Sequence, residues 1–168
     1  TLLAGIPQAR TRGEWVDSLL TSMLKSNEAA SIVARQVETN AVTDVTGFGL
    51  AGHLLEILDA SNLDAELRLQ DLPLLPGAKQ LLEDGLESTL APANRETAIR
   101  TKCSDARLEG SPEYAALFDP QTSGGLLLSV TPEKEQQLHD QLKQAGVDAW
   151  TIGRFSETTS TPTLHLTE

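Results

Sequence analysis

One stretch limits what this chain can fold into more than any other: Thr43-Asp44-Val45-Thr46-Gly47-Phe48-Gly49-Leu50-Ala51-Gly52-His53. Residues 41–46 are a short β-prone run, and Leu50, Leu54, Leu55, Ile57 and Leu58 recur beyond it at helical spacing. The glycines between them let the backbone turn sharply and leave its N–H groups uncovered. The stretch therefore reads as strand, turn and helix, with Asp44 at the strand end and the positive end of the helix aimed at the turn. That arrangement suits a phosphate or a metal–phosphate. Two other readings compete with it. Gly47, Gly49 and Gly52 spell G-x-G-x-x-G, and Asp71 follows the strand-like residues 65–70 at about the distance a dinucleotide site requires. The strand leading into a dinucleotide turn should be apolar, however, and here it reads Thr43-Asp44-Val45-Thr46. Asp44 would also set an anion beside a pyrophosphate unless a cation lay between them. The third reading is a tight strand-to-helix turn with no ligand.

The rest of the chain alternates helix and strand. Residues 1–10 read as a loop. Thr11-Arg12-Gly13-Glu14 is a capping-box pattern, followed by Val16, Leu19, Leu20, Met23 and Leu24 at helical spacing. A second amphipathic helix spans residues 28–38. After the central stretch, residues 65–70 alternate as a half-buried strand, residues 78–82 form a short helix, residues 91–95 a loop, and residues 99–103 a strand or a helix end. Residues 119–125 must be irregular, given Pro120, Gly124 and Gly125. Residues 126–130 read as a buried strand. Thr131-Pro132-Glu133 starts a helix that Gly146 stops, and residues 147–155 read as the next strand. Residues 156–168, rich in Thr and Ser, read as a loosely held tail. No internal repeat is present. The strand–helix–strand crossover over residues 126–155 predicts a mixed α/β fold with helices on both faces of a mixed sheet.

Asp44 is the first candidate for chemistry. A carboxylate suits magnesium, which takes one or two protein carboxylates and fills its sphere with water and phosphate oxygens. The alternative is a carboxylate that caps the turn by accepting backbone N–H bonds. Thr43, Thr46 and Gly47 flank it and can offer hydroxyl and backbone N–H groups to phosphate, although β-propensity and local hydrogen bonding explain the threonines as well. His53 and Glu56 stand three apart on the polar side of the helix, within reach of each other. No Cys or His neighbours His53 at zinc-ligand spacing, and His139 and His165 fall in a surface helix and the tail.

The 168 residues suit one domain, and their formal net charge of -11 is scattered along the chain. No basic stripe is available to neutralise phosphates, which argues against broad nucleic-acid binding. No apolar run is long enough to span a bilayer. Cys103 is the sole cysteine, so no intrachain disulfide can form, and a reducing cytoplasm fits. The chain does not begin with methionine, which points to an excised fragment.

The segment TDVTGFGLAGHLLEIL at residues 43–58 resembles the start of the C-terminal domain of the selenophosphate synthetase (selenide, water dikinase) family. LFDPQTSGGLL at residues 117–127 resembles a second segment of that family. GVDAWTIGR at residues 146–154 is similar to the closing strand of the wider aminoimidazole-ribonucleotide synthetase superfamily. The resemblance covers roughly residues 27–155, with residues 1–26 a leading loop and helix and residues 156–168 a tail. It implies a three-layer α/β/α fold with a mixed sheet, partly ferredoxin-like. It also implies a parent enzyme that makes selenophosphate from selenide, ATP and water, releasing AMP and phosphate, with Mg2+ and ATP as cofactors. Asp44 then holds the place of a magnesium ligand, with Thr43, Thr46 and Gly47 beside the phosphates, and Asn94 and Arg95 match a loop near the cleft. The family's reactive Cys or Sec and its Lys lie in an N-terminal segment this chain does not contain. By this resemblance the chain holds no catalytic residue, its main partner is the missing N-terminal ATP-binding domain, the parent is a cytoplasmic homodimer, and Cys103 is not the nucleophile. The alternatives are a non-catalytic nucleotide-binding or supporting module of the same fold, and a purine-pathway synthetase.

Overall fold

The computed structural model describes residues 1–168. Helices α1 (Leu2–Gly5), α2 (Gly13–Leu24) and α3 (Glu28–Val37) lead into strand β1 (Ala41–Asp44) and helix α4 (Gly49–Ser61). Strand β2 (Leu63–Arg68), helices α5 (Ala78–Glu83) and α6 (Ala91–Asn94), strand β3 (Thr101–Cys103) and helix α7 (Pro112–Ala116) follow. Strand β4 (Leu126–Ser129), helix α8 (Pro132–Gln144) and strands β5 (Gly153–Glu157) and β6 (Leu164–Thr167) complete the chain.

Two sheets form. Strands β1 and β4 make an antiparallel ribbon in which Asp44 stands opposite Leu126. The second sheet has the order β3-β6-β2-β5, with β2 antiparallel to β5 and parallel to β6, and β3 parallel to β6. Alternation along these strands sends Ala65, Leu67, Leu164 and Leu166 to one face, where they bury against Leu54, Leu55 and Leu58 of α4. The opposite face carries Asp64, Glu66, Lys102, Arg154 and His165, joined by an Arg154–Glu66 ion pair. The ribbon lies between two layers of helix. Leu126 and Leu128 pack on the cluster that α3 and α8 form through Val33, Val37, Leu138 and Leu142, while Leu127 packs on the α4 core. A third cluster, Leu2, Trp15, Leu19, Leu81 and Leu86, binds α1, α2 and α5 together. Gly77, at φ +83, lets the backbone lie flat on the Trp15 ring, where a Cβ would overlap it.

The mixed α/β class with a mixed sheet agrees with the sequence reading. Several elements differ. Residues 2–5 are helical, because Leu2 has a core to enter. The Thr11 capping box is not made: Thr11 Oγ1 donates to the Leu2 carbonyl and Arg12 occupies the cap. Residues 91–94 are a helix, opened by Pro92 near its start. The expected strand 147–155 begins only at Gly153, where the backbone lies so close to the Glu66 carbonyl that no Cβ fits. The expected crossover therefore joins two sheets, from β4 in the ribbon to β5 in the larger sheet. The largest correction is the tail. Residues 164–167 form β6, between β2 and β3, with Leu164 and Leu166 both 0% exposed.

Candidate functional site

Asp44, Thr46 and Gly47 lie where β1 leaves the ribbon and enters α4. Val45, between them, is buried and anchors the turn, and its N–H donates to the Gly125 carbonyl at 3.0 Å. Thr46 is held at both ends of its peptide. Its N–H donates to His53 Nε2 at 3.0 Å, and its carbonyl accepts from Gly49 N–H at 3.1 Å and Gln121 N–H at 3.0 Å. Asn94 Nδ2 donates to the Gly47 carbonyl at 2.8 Å and to the Phe118 carbonyl at 3.0 Å. Asn27 Nδ2 donates to the Gly124 carbonyl at 3.0 Å. Gly49 has φ +70, and a Cβ there would stand 2.7 Å from the Leu117 carbonyl oxygen. Residues 117–125 thus form the wall against which the turn is built. The loop role given to residues 119–125 by their proline and glycines is the one they have.

These contacts decide what remains open to a ligand. Gly49 N–H is used by Thr46 and Ala51 N–H by the Leu117 carbonyl, at 2.9 Å, so protein oxygens already occupy part of the α4 N-terminus. Asp44 and Gly47 are exposed, and Thr43 and Thr46 half-buried. The Asp44 carboxylate has no protein partner; the nearest bond runs from Thr43 Oγ1 to the Asp44 backbone carbonyl at 3.2 Å. A carboxylate that capped the turn would accept backbone N–H groups, and this one accepts none. No group of three or more His, Cys, Asp or Glu side chains gathers anywhere in the chain at metal-binding distance. One free carboxylate beside an exposed turn fits an ion that takes a single protein oxygen and completes its sphere with phosphate and water.

The dinucleotide reading does not survive. Strand β1 pairs only with β4, antiparallel, and β2 belongs to the other sheet, so β1, α4 and β2 form no parallel unit. Asp71 is paired with Arg68. Arg95, in the loop the resemblance places near the cleft, is bonded to Glu87 and lies over the Phe118 ring at 5.9 Å. Cys103 is half-buried, and burial, helped by the Glu109 charge, pushes its thiol pKa up, away from a reactive thiolate. His139 sits on the surface of α8, 2.9 Å from Thr151 Oγ1. His165, expected in a loose tail, lies in β6, 3.5 Å from Asp64.

His53, placed by sequence on the polar side of its helix, is 7% exposed. Helix α4 is covered on two sides, by the larger sheet and by the ribbon turn, so a single apolar stripe underestimates what it buries. Asn94, which the resemblance places in a loop near the cleft, is a clamp on the turn. The Asn27 clamp carries no sequence signal, because a lone asparagine in a turn reads as punctuation.

The family described as AIR synthase related protein, C-terminal domain, matches residues 10–163. The selenide, water dikinase of Caldanaerobacter subterraneus subsp. tengcongensis is 37% identical over 132 residues, covering 78% of this chain and 38% of the relative. That of Shewanella sp. (strain MR-7) is 35% identical over 154 residues, covering 92% and 43%. This chain therefore spans only about two fifths of the length of these relatives. The thiamine-monophosphate kinase of Stenotrophomonas maltophilia K279a superposes with a TM-score of 0.51 at 18% identity, over 76% of this chain and 31% of that one, a likeness of fold alone.

Proposed function

Because this chain belongs to the AIR synthase related protein family, as its C-terminal domain, we propose that it is the C-terminal part of an ATP-dependent selenide, water dikinase and lends one wall to a Mg2+–ATP cleft. The parent reaction converts selenide, ATP and water into selenophosphate, AMP and phosphate. The observation that carries the reading is the unpartnered Asp44 carboxylate at the end of β1, beside the exposed Gly47. A bare carboxylate repels a nucleotide, so a cation must stand between them. Asp44 would hold Mg2+ by one oxygen, and the ion, when bound, neutralises and orients phosphate oxygens. Thr43 and Thr46 offer hydroxyls, and Gly47 gives a side-chain-free approach for a phosphate. The nucleophile and most of the nucleotide site belong to the N-terminal part of such a protein. The parent is further proposed to be a cytoplasmic homodimer, for which a single free cysteine fits a reducing compartment.

Asp44→Asn in the full-length protein tests this. Asparagine keeps the size and one acceptor oxygen but removes the charge that holds the metal. Turnover should fall severely, with the magnesium requirement raised and the melting temperature unchanged. A normal magnesium dependence together with a lowered melting point would return Asp44 to a capping role, which is worth about 1 kcal/mol. The 168-residue chain alone should form no selenophosphate from ATP and selenide by phosphorus NMR; formation would overturn the assignment of the nucleophile to the N-terminal part of such a protein.

A further inference from the structure

We propose that His53 is the positioning residue of the Asp44 turn, fixed as a neutral imidazole with its proton on Nδ1, whose Nε2 lone pair holds the Thr46 amide. Three groups at first sight suggest a different role. Thr46 Oγ1 lies 3.0 Å from Nε2, and Glu56 Oε2 lies 3.3 Å from Nδ1, the order of hydroxyl, imidazole and carboxylate that activates a nucleophile. The Thr46 backbone N–H excludes that role. A peptide N–H can only donate, and at 3.0 Å it donates to Nε2. Nε2 must therefore present its lone pair to the amide, and that pair is not free to take a proton from the hydroxyl. The one ring proton of a neutral imidazole is then on Nδ1. Nδ1 is buried without a hydrogen-bond partner, although Glu56 Oε2 lies 3.3 Å away. A donor left so poorly served indicates that the ring orientation is set at Nε2, by Thr46.

The surroundings hold the ring there. His53 is buried, and its ring lies 5.8 Å from the tilted ring of Phe48, centroid to centroid. A Cβ at Gly52 would stand 2.7 Å from Phe48 Cβ, so the small residue beside His53 is what lets Phe48 close over the turn. Thr46 is two residues from Asp44. Its carbonyl is fixed from the other side by Gly49 and Gln121, so the bond to His53 completes the clamp on the hinge between β1 and α4. This inference stands on hydrogen-bond geometry alone and is independent of whether Asp44 binds magnesium.

The test separates the acceptor from the bulk of the ring. Glutamine places its carbonyl oxygen where Nε2 stands, whereas asparagine reaches only as far as Nδ1. In the 168-residue chain, ring-nitrogen NMR at neutral pH should show Nε2 unprotonated and Nδ1 carrying the proton. Amide exchange at Thr46 should accelerate roughly tenfold or more in His53→Asn and return near the wild-type rate in His53→Gln. A proton on Nε2 in the wild type would overturn the proposal. So would Thr46 exchange that is unchanged in His53→Asn, or as fast in His53→Gln as in His53→Asn. If His53→Asn does not fold, the wild-type tautomer and the His53→Gln exchange rate still decide the matter.

Discussion

Two glycines of the central turn, two residues apart, have opposite tolerances. Gly49 combines φ +70 with the Leu117 carbonyl 2.7 Å from where its Cβ would be. Left-handed backbone alone costs a non-glycine residue about 1 kcal/mol, and the steric contact adds to it. Gly49→Ala should therefore destabilise the fold by about 2 kcal/mol or more in urea unfolding. Gly47 has nothing within 4 Å of its Cβ position, so Gly47→Ala should stay within about 0.5 kcal/mol of wild type. Cys103 provides a third measurement. With its pKa raised by burial, its thiol should react with an alkylating reagent near neutral pH more slowly than a free cysteine, and Cys103→Ser in the full-length protein should change turnover by less than tenfold. The turn itself was legible, because strand propensity, paired glycines and helical spacing all agree across residues 41–58. The bond from Thr46 to His53 was not: helical spacing shows which residues share a face but not how many faces are covered.

At the scale of elements, β6 separates what pattern can and cannot reveal. Residues 156–163 hold Thr, Ser and Pro, and the Leu-His-Leu-Thr that follows alternates over only four positions, too few to outweigh that composition. Long-range pairing decides the matter: Leu164 and Leu166 stand opposite Ala65 and Leu67 on one side and Thr101 and Cys103 on the other. Leu164→Ala or Leu166→Ala should cost about 2–5 kcal/mol, as full burial predicts. His165→Ala, on the polar face, should cost far less, and chemical denaturation of the three variants checks the alternation. Helix α8 shows the contrary case, since Thr131, Pro132 and Gly146 mark both of its ends and the structure places it at Pro132–Gln144.

Across the whole molecule, carboxylates govern the response to acid. Arg100 hydrogen bonds hold Asp59 below the ordinary aspartate value of 3.8, and the Thr163 N–H, with help from His165, does the same for Asp64. A carboxyl depressed in the folded state stabilises it fully above the unfolded pKa and loses that contribution as pH falls through the folded one. The melting temperature should therefore be flat at neutral pH and fall below about pH 4; added salt should weaken the exposed Asp59–Arg100 part of the effect. The Asp64 bond to Thr163 also spans 99 positions of sequence, and β6 sits inside its sheet rather than at the edge. During synthesis, β2 and β3 therefore cannot join until residues 164–167 have left the ribosome, and the α4 core lacks the cover of Leu164 and Leu166 until then. A nascent chain in this state is one that a chaperone would be expected to hold.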